Sequence, residues 1–186
     1  DMLPGADAAA PLFLFGVTMQ NHSPFDSSID STPEHVELAD MPGKYPQTEQ
    51  YLSLIKESDN ALRYLLSELE DYPEDTVVLF FGDHMPKIED EFYALLNGGA
   101  ADSLDEQMLK YTVPFFIWAN YDIEEYTLEQ TSLNYLAGHL LDAAGIELPP
   151  YYQFLRDTEA VVPAINAFGY YSKAQGSMIP LDEAEG

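Results

Sequence analysis

The stretch VVLFFGDHMP, residues 77–86, decides how the rest of the chain is read. Five apolar residues rich in Val and Phe end abruptly at Gly82-Asp83-His84. A short apolar run bounded by turn residues predicts a strand buried on both faces, the usual state of a strand in a parallel sheet covered by helices. In such sheets ligands bind beyond the carboxyl ends of the strands, which is where Asp83 and His84 fall. A carboxylate oxygen beside an imidazole nitrogen suits a borderline divalent ion such as Mn, Zn or Fe better than Ca. These residues alone leave an alternative open, in which Asp83 caps the next helix and His84 is held in a turn.

Outward from that strand, PLFLFGVTM (11–19) is a second apolar run that also ends in polar groups, Gln20-Asn21-His22. Two strand ends would then each bring a histidine to one sheet edge, where a ligand site can form. Thr18 falls inside this second strand, with its side chain expected in the core. Ser23 to Gln47 is rich in Pro, Ser and Asp without an apolar period, and predicts a long surface loop of the kind that often carries function. From Thr48 to Glu70 the residues Tyr51, Leu52, Ile55, Leu62, Leu65, Leu66 and Leu69 recur mostly at three or four, predicting an amphipathic helix. Asp71 to Asp75 turns the chain into the Val77 strand. Glu89 to Leu96 predicts a short helix stopped at Asn97-Gly98-Gly99. YTVPFFIWA (111–119) is a third strand, and LEQTSLNYLAGHLLDAAGI (128–146) a second long helix with Gly145 placed as its stop. Strand and helix in alternation predict an α/β fold, a three-layer αβα sandwich with a mainly parallel sheet. After Pro149 the chain is aromatic and then polar, and SMIPLDEAEG (177–186) reads as a frayed end.

The 186 residues, 46% of them hydrophobic and 13% aromatic, suffice for a sizeable core and exclude wholesale disorder. Seven Lys plus Arg against 33 Asp plus Glu give a formal charge of -26, which repels nucleic-acid phosphates and argues against a nucleic-acid partner. Most of these carboxylates are expected to form a solubilising shell. With no cysteine, disulfides, thiol catalysis and zinc ribbons are excluded. No run approaches the roughly 20 apolar residues that span a bilayer, and the start Asp1-Met2-Leu3-Pro4 lacks the features of a signal peptide. The chain is therefore expected to be soluble as it stands, or the soluble part of something longer.

FLFGVTMQNHSPF, followed some sixty residues later by DTVVLFFGDH, resembles the lipoteichoic acid synthase and phosphoglycerol transferase branch of the sulfatase-like, alkaline-phosphatase-type superfamily. YLSLIKESDNALRYLLSELE resembles the helix between these motifs, and YTVPFFIWAN and TSLNYLAGHLLDAAGI the next core strand and helix. The resemblance covers about residues 10–150. It implies that residues 1–150 are the C-terminal part of a sulfatase-like catalytic domain, with 151–186 a C-terminal extension and tail. It further implies transfer of glycerol phosphate from a phospholipid head group to a glycolipid or polymer acceptor. That enzyme would work on the extracellular face of a Gram-positive-type cell membrane, anchored by upstream helices not in this chain. The implied cofactor is Mn2+, or another divalent cation such as Mg2+ or Zn2+. By the resemblance, Asp83 and His84 are metal ligands, and His22 and Asn21 meet the substrate. The nucleophilic Thr or Ser and a metal-binding Glu lie upstream in the family, so no catalytic nucleophile is expected here. The chain alone should be inactive, with weak metal binding. A sulfatase or phosphodiesterase using water as acceptor, and a non-catalytic acidic binding module of the cell surface, are the competing expectations.

The other polar and aromatic residues carry plainer readings. His139 within the 128–146 helix is expected to be structural, and His35 solvent-exposed. Trp118 and the Phe115-Phe116 pair are at strand spacing and predict packing. Arg63 and Lys56, on the long helix, are expected to pair with nearby Glu rather than grip phosphate. Lys87 is the cation placed to meet a substrate phosphate, directly after the metal pair.

Overall fold

The computed structural model describes residues 11–25, 35–96, 109 and 111–183. In chain order they form helix α1 (Pro46–Glu70), strand β1 (Val77–Phe81), helix α2 (Asp90–Leu96), strand β2 (Phe115–Ala119), helix α3 (Leu133–Ala143) and helix α4 (Pro150–Glu159). Strands β3 (Ala164–Ile165), β4 (Gly169–Ser172) and β5 (Ser177–Pro180) follow, then a 3-10 turn, Leu181–Glu183. Two compact units result. One holds the described residues up to Thr76 with Pro86–Leu95, and the other holds Val77–Met85 and the described residues from Leu96 on.

The first unit is organised by α1. Pro46 opens the helix, where its missing N–H would have had no partner anyway. The Gln47 and Thr48 N–H groups donate to the Glu89 carboxylate at 2.8 and 3.0 Å, and the Thr48 hydroxyl donates at 2.7 Å. Partial desolvation pushes the Glu89 carboxyl upward, but these hydrogen bonds outweigh it and hold the group below its ordinary range. The expected apolar stripe of α1 is buried only at Leu69, while Ile55 and Leu65 are exposed. Its buried surface is instead polar, at Thr48, Glu49, Gln50 and Ser53. The reason is the loop before it. Glu49 accepts the Leu38 and Gly43 N–H groups at 2.9 Å each, and Ser53 Oγ accepts that of Val36 at 2.9 Å. A loop laid on a helix must find acceptors for its backbone N–H groups, and carboxylate and hydroxyl side chains supply them. Residues 26–34 of the expected loop, and the Asn97-Gly98-Gly99 stop, lie outside the described residues.

Residues 11–19 correct the sequence reading. They form no strand ladder among the described residues, and Leu12, Phe13, Leu14, Phe15, Val17 and Met19 are all at least half exposed. Thr18, expected in the core, is exposed as well. An apolar run becomes a buried strand only where neighbouring strands and a covering layer meet it, which the run itself cannot provide.

In the second unit β1 and β2 are antiparallel, Val77 opposite Ala119 and Phe81 opposite Phe115, with Phe80 stacked on Phe116 at 5.3 Å. The strands β3-β4-β5 also pair antiparallel, so the expected parallel pairing is absent among the described strands. The physical reason is that the chain re-enters β2 beside the end where it leaves β1. There the Gly82 N–H donates to Pro114 O at 3.1 Å. The stop of α3 is as expected: Gly145 has φ 66°, its N–H donates to Asp142 O, and that of Ile146 donates to Leu141 O. These are the two bonds of a Schellman cap. Helix α3 packs on β1 and α4 on α3, around buried Tyr135, Leu136, Leu148 and Leu155. Ser132 Oγ bonds both backbone groups of Ile165, tying the start of α3 to β3. The expected frayed end is structured from Ser177 to Glu183, with Ile179 in the core.

Candidate functional site

Strand β1 delivers Asp83 and His84 directly after its last residue, and the residue between strand and pair has to be small. A Cβ on Gly82 would lie 3.0 Å from Val113 Cβ. The glycine therefore permits a close approach to the segment entering β2. Asp83 Oδ1 accepts the His84 N–H at 2.9 Å, which fixes the carboxylate and leaves Oδ2 available. His84 Nδ1 stands 2.9 Å from Met85 O. A carbonyl only accepts, so the proton is on Nδ1 and the neutral ring carries its lone pair on Nε2. That Nε2 lies 3.5 Å from Asp83 Oδ2, with both side chains more than half exposed. At that distance the imidazole nitrogen and the carboxylate oxygen are near enough to share a proton or a cation.

The separation fits a metal. With bonds of about 2.1 Å from imidazole and carboxylate, donors at this spacing subtend roughly 110° at the ion, close to a tetrahedral angle. Asp83 and His84 are the residues here that could hold a metal ion, and among the described residues no third His, Cys, Asp or Glu joins them.

His22 is presented by a turn in which its N–H donates to Met19 O at 3.2 Å. Its Nδ1 lies 2.6 Å from Ser23 O, so the same argument places the proton on Nδ1 and the free lone pair on exposed Nε2. Asn21 is half-buried, and its amide is engaged by Ser58 of α1, with Nδ2 donating to Oγ at 2.9 Å and Oγ within 3.2 Å of Oδ1. Lys87 is exposed. Sequence reading found the two histidines but not what orients them, because the Ser23 and Met85 carbonyls and the Val113 contact leave no residue-type signal.

His139 is structural: its Nε2 is 3.0 Å from Glu159 Oε1 and its Nδ1 is 3.0 Å from the Tyr126 hydroxyl, which joins α3 to α4. Desolvation first, and then nearby Asp142, Glu159 and Glu124, raise the Tyr126 phenol above its ordinary range. Arg63 pairs with an acid one helical turn away, as an i,i+4 spacing allows, but the partner is Asp59 and not the expected Glu. His35 is exposed.

Comparison with known proteins gives the family and the fold. Residues 2–146 match the family described as Sulfatase. A Rhizobium meliloti (strain 1021) protein named for cyclic beta-1,2-glucan modification is 26% identical over 151 residues, which are 78% of this chain and 24% of that protein. The structure of the Streptococcus pyogenes phosphoglycerol transferase GacH, solved in complex with sn-glycerol-1-phosphate, superposes with a TM-score of 0.59 at 22% identity. It covers 81% of this chain and 37% of that one. The chain thus spans about a quarter of the curated relative and somewhat over a third of the solved structure. The fold is of the sulfatase-like, alkaline-phosphatase type, present as a partial domain.

Proposed function

Because the chain belongs to the sulfatase family, we propose that it is the metal-bearing, C-terminal part of a phosphoglycerol transferase domain. The domain moves glycerol phosphate from a phospholipid head group to a glycolipid or polymer acceptor on the outer face of the cell membrane. The observation that carries this reading is the convergence of Asp83 Oδ2 and His84 Nε2 at the end of β1, in a fold shared with an enzyme solved with sn-glycerol-1-phosphate. The relative named for glucan modification favours a glycan as acceptor. In this proposal the nucleophilic Thr or Ser, a further metal-binding Glu and the membrane anchor would belong to segments outside the chain, which spans only part of its relatives.

Asp83 and His84 would hold a divalent cation, Mn2+ foremost or else Mg2+ or Zn2+, which neutralises charge on phosphoryl oxygens and eases ionisation of a hydroxyl. The chain's own residues have separate tasks. Asp83 Oδ1 is spent on the His84 N–H, so the carboxylate keeps one orientation as substrate arrives. His22, with its lone pair on Nε2, accepts a hydrogen bond from a glycerol or acceptor hydroxyl, and once protonated it donates to a phosphate oxygen. Lys87 brings a positive charge to the phosphate in a chain with few cations.

The test is to incubate protein spanning the whole sulfatase domain with phosphatidylglycerol and Mn2+, and to follow diacylglycerol release by mass spectrometry. Cation-dependent release supports the proposal. Hydrolysis of an aryl sulfate with phosphatidylglycerol untouched replaces it with the sulfatase reading.

A further inference from the structure

His22 is exposed, and among the described residues its side chain bonds to the carbonyl of the next residue alone. Something else must hold its turn in place, and α1 does so at two points. On one side of His22, the Asn21 amide and the Ser58 hydroxyl engage each other at 2.9 and 3.2 Å. On the other side, Phe25 is 5% exposed and meets the Tyr51 ring edge-on, with centroids 5.3 Å apart. Tyr51 and Ser58 are seven residues apart on α1, so they share one stripe with a spacing of about 10 Å along the axis. The segment 21–25 is strapped along this stripe, with His22 between the two anchors.

The anchors differ in kind. Phe25 and Tyr51 give apolar burial, which tolerates sliding, whereas the Asn21–Ser58 pair is directional. An asparagine amide both donates and accepts, and a serine hydroxyl answers both, so the pair sets the position of the residue next to His22. We propose that Ser58 is a positioning residue for His22, acting through Asn21, and that Asn21 serves as this anchor rather than as a substrate ligand. Ser58 lies well away in sequence from either motif, on a helix otherwise read as packing. The catalytic consequence rests on the proposed function, but the positioning itself does not.

The test has two readouts. In the present chain, 15N imidazole signals report the His22 tautomer, assigned by their loss in His22→Gln. The wild type should show a single form with the proton on Nδ1. Ser58→Ala and Asn21→Ala should each shift it toward the mixture of free histidine, the double variant should add nothing further, and Ser58→Thr should keep the wild-type signal. Ser67→Ala, on the same helix, should change nothing. In protein spanning the whole domain, Ser58→Ala should lower kcat about tenfold or more with KM nearly unchanged, and Ser58→Thr should restore it. An unshifted His22 signal in both alanine variants overturns the proposal, as does unchanged kcat in an active enzyme. If the wild-type enzyme leaves phosphatidylglycerol intact, the proposed function fails, and the tautomer measurement still decides the role of Ser58.

Discussion

Replacing Gly82 with Ala sets two well-defined effects against each other. Gly82 is outside the left-handed region, so on backbone grounds alone Ala should stabilise the fold by about 0.4–1 kcal/mol through the unfolded chain. The new Cβ, however, would stand 3.0 Å from Val113 Cβ and 3.3 Å from its Cγ1, where comfortable carbon contact needs about 3.5–4.0 Å. The nearest atom is held by the backbone, so rotating the valine does not relieve the contact. Relief must come from the Gly82–Pro114 hydrogen bond, now 3.1 Å, or from the adjacent β1–β2 register. Such overpacking costs about 1–3 kcal/mol, so net destabilisation is expected. Urea unfolding followed by circular dichroism reads it directly, since a loss of about 2 kcal/mol moves the midpoint down by about 1 M. Val113→Ala added to Gly82→Ala should recover only part of the loss, because its Cβ remains, and Val113→Gly should recover more of the clash. A midpoint at or above wild type in Gly82→Ala would refute the close approach that places Asp83 and His84.

Three further outcomes are expected. Glu89→Gln should weaken the start of α1 by about 0.5–2 kcal/mol. Because the Glu89 carboxyl is held below its ordinary range, its stabilisation is present above that range and lost as pH falls through the lowered value. A partly exposed group is screened by solvent, so the effect should be modest, but the acid limb of the stability–pH curve should flatten in the variant, and an unchanged limb contradicts the assignment. The pair His139 and Glu159, each 16% exposed, should show a coupling of about 0.5–3 kcal/mol in a double-mutant cycle of unfolding, and additive effects would mean that it does not clamp α4 to α3. His22→Ala, in protein spanning the whole domain, should leave Mn2+ stoichiometry intact while cutting turnover on the order of a hundredfold; near-normal turnover would reduce His22 to a turn residue.

Element ends were legible where chemistry interrupts a pattern. The apolar run that stops at Asp83-His84 does end a strand, and Gly145 marks a helix end because a left-handed residue is needed there. Strand direction was not legible, because Val77–Phe81 has the same composition beside a parallel neighbour or an antiparallel one, and only the return path to Phe115 decides. Burial of PLFLFGVTM failed for a related reason, since hydrophobicity states what a segment needs and not what covers it. Glu49, Ser53 and Glu89 escaped notice because a carboxylate or hydroxyl reads as solvent-facing until the backbone N–H groups that it accepts are seen, those of the loop for Glu49 and Ser53 and those at the start of α1 for Glu89. The last strands were missed because GYYS and SMIP are each four residues long and acquire meaning only when paired across the turn at Gly176, whose φ is 65°.

The central claim, that this chain supplies half of the metal site of a phosphoryl-transferring sulfatase-family enzyme, is tested most directly by counting bound Mn2+. Titration of protein spanning the whole domain, followed by electron paramagnetic resonance, should give one tightly bound ion per chain. That ion should be lost in Asp83→Asn and in His84→Gln and retained in His35→Gln. One tightly bound Mn2+ that survives both Asp83→Asn and His84→Gln would contradict the account.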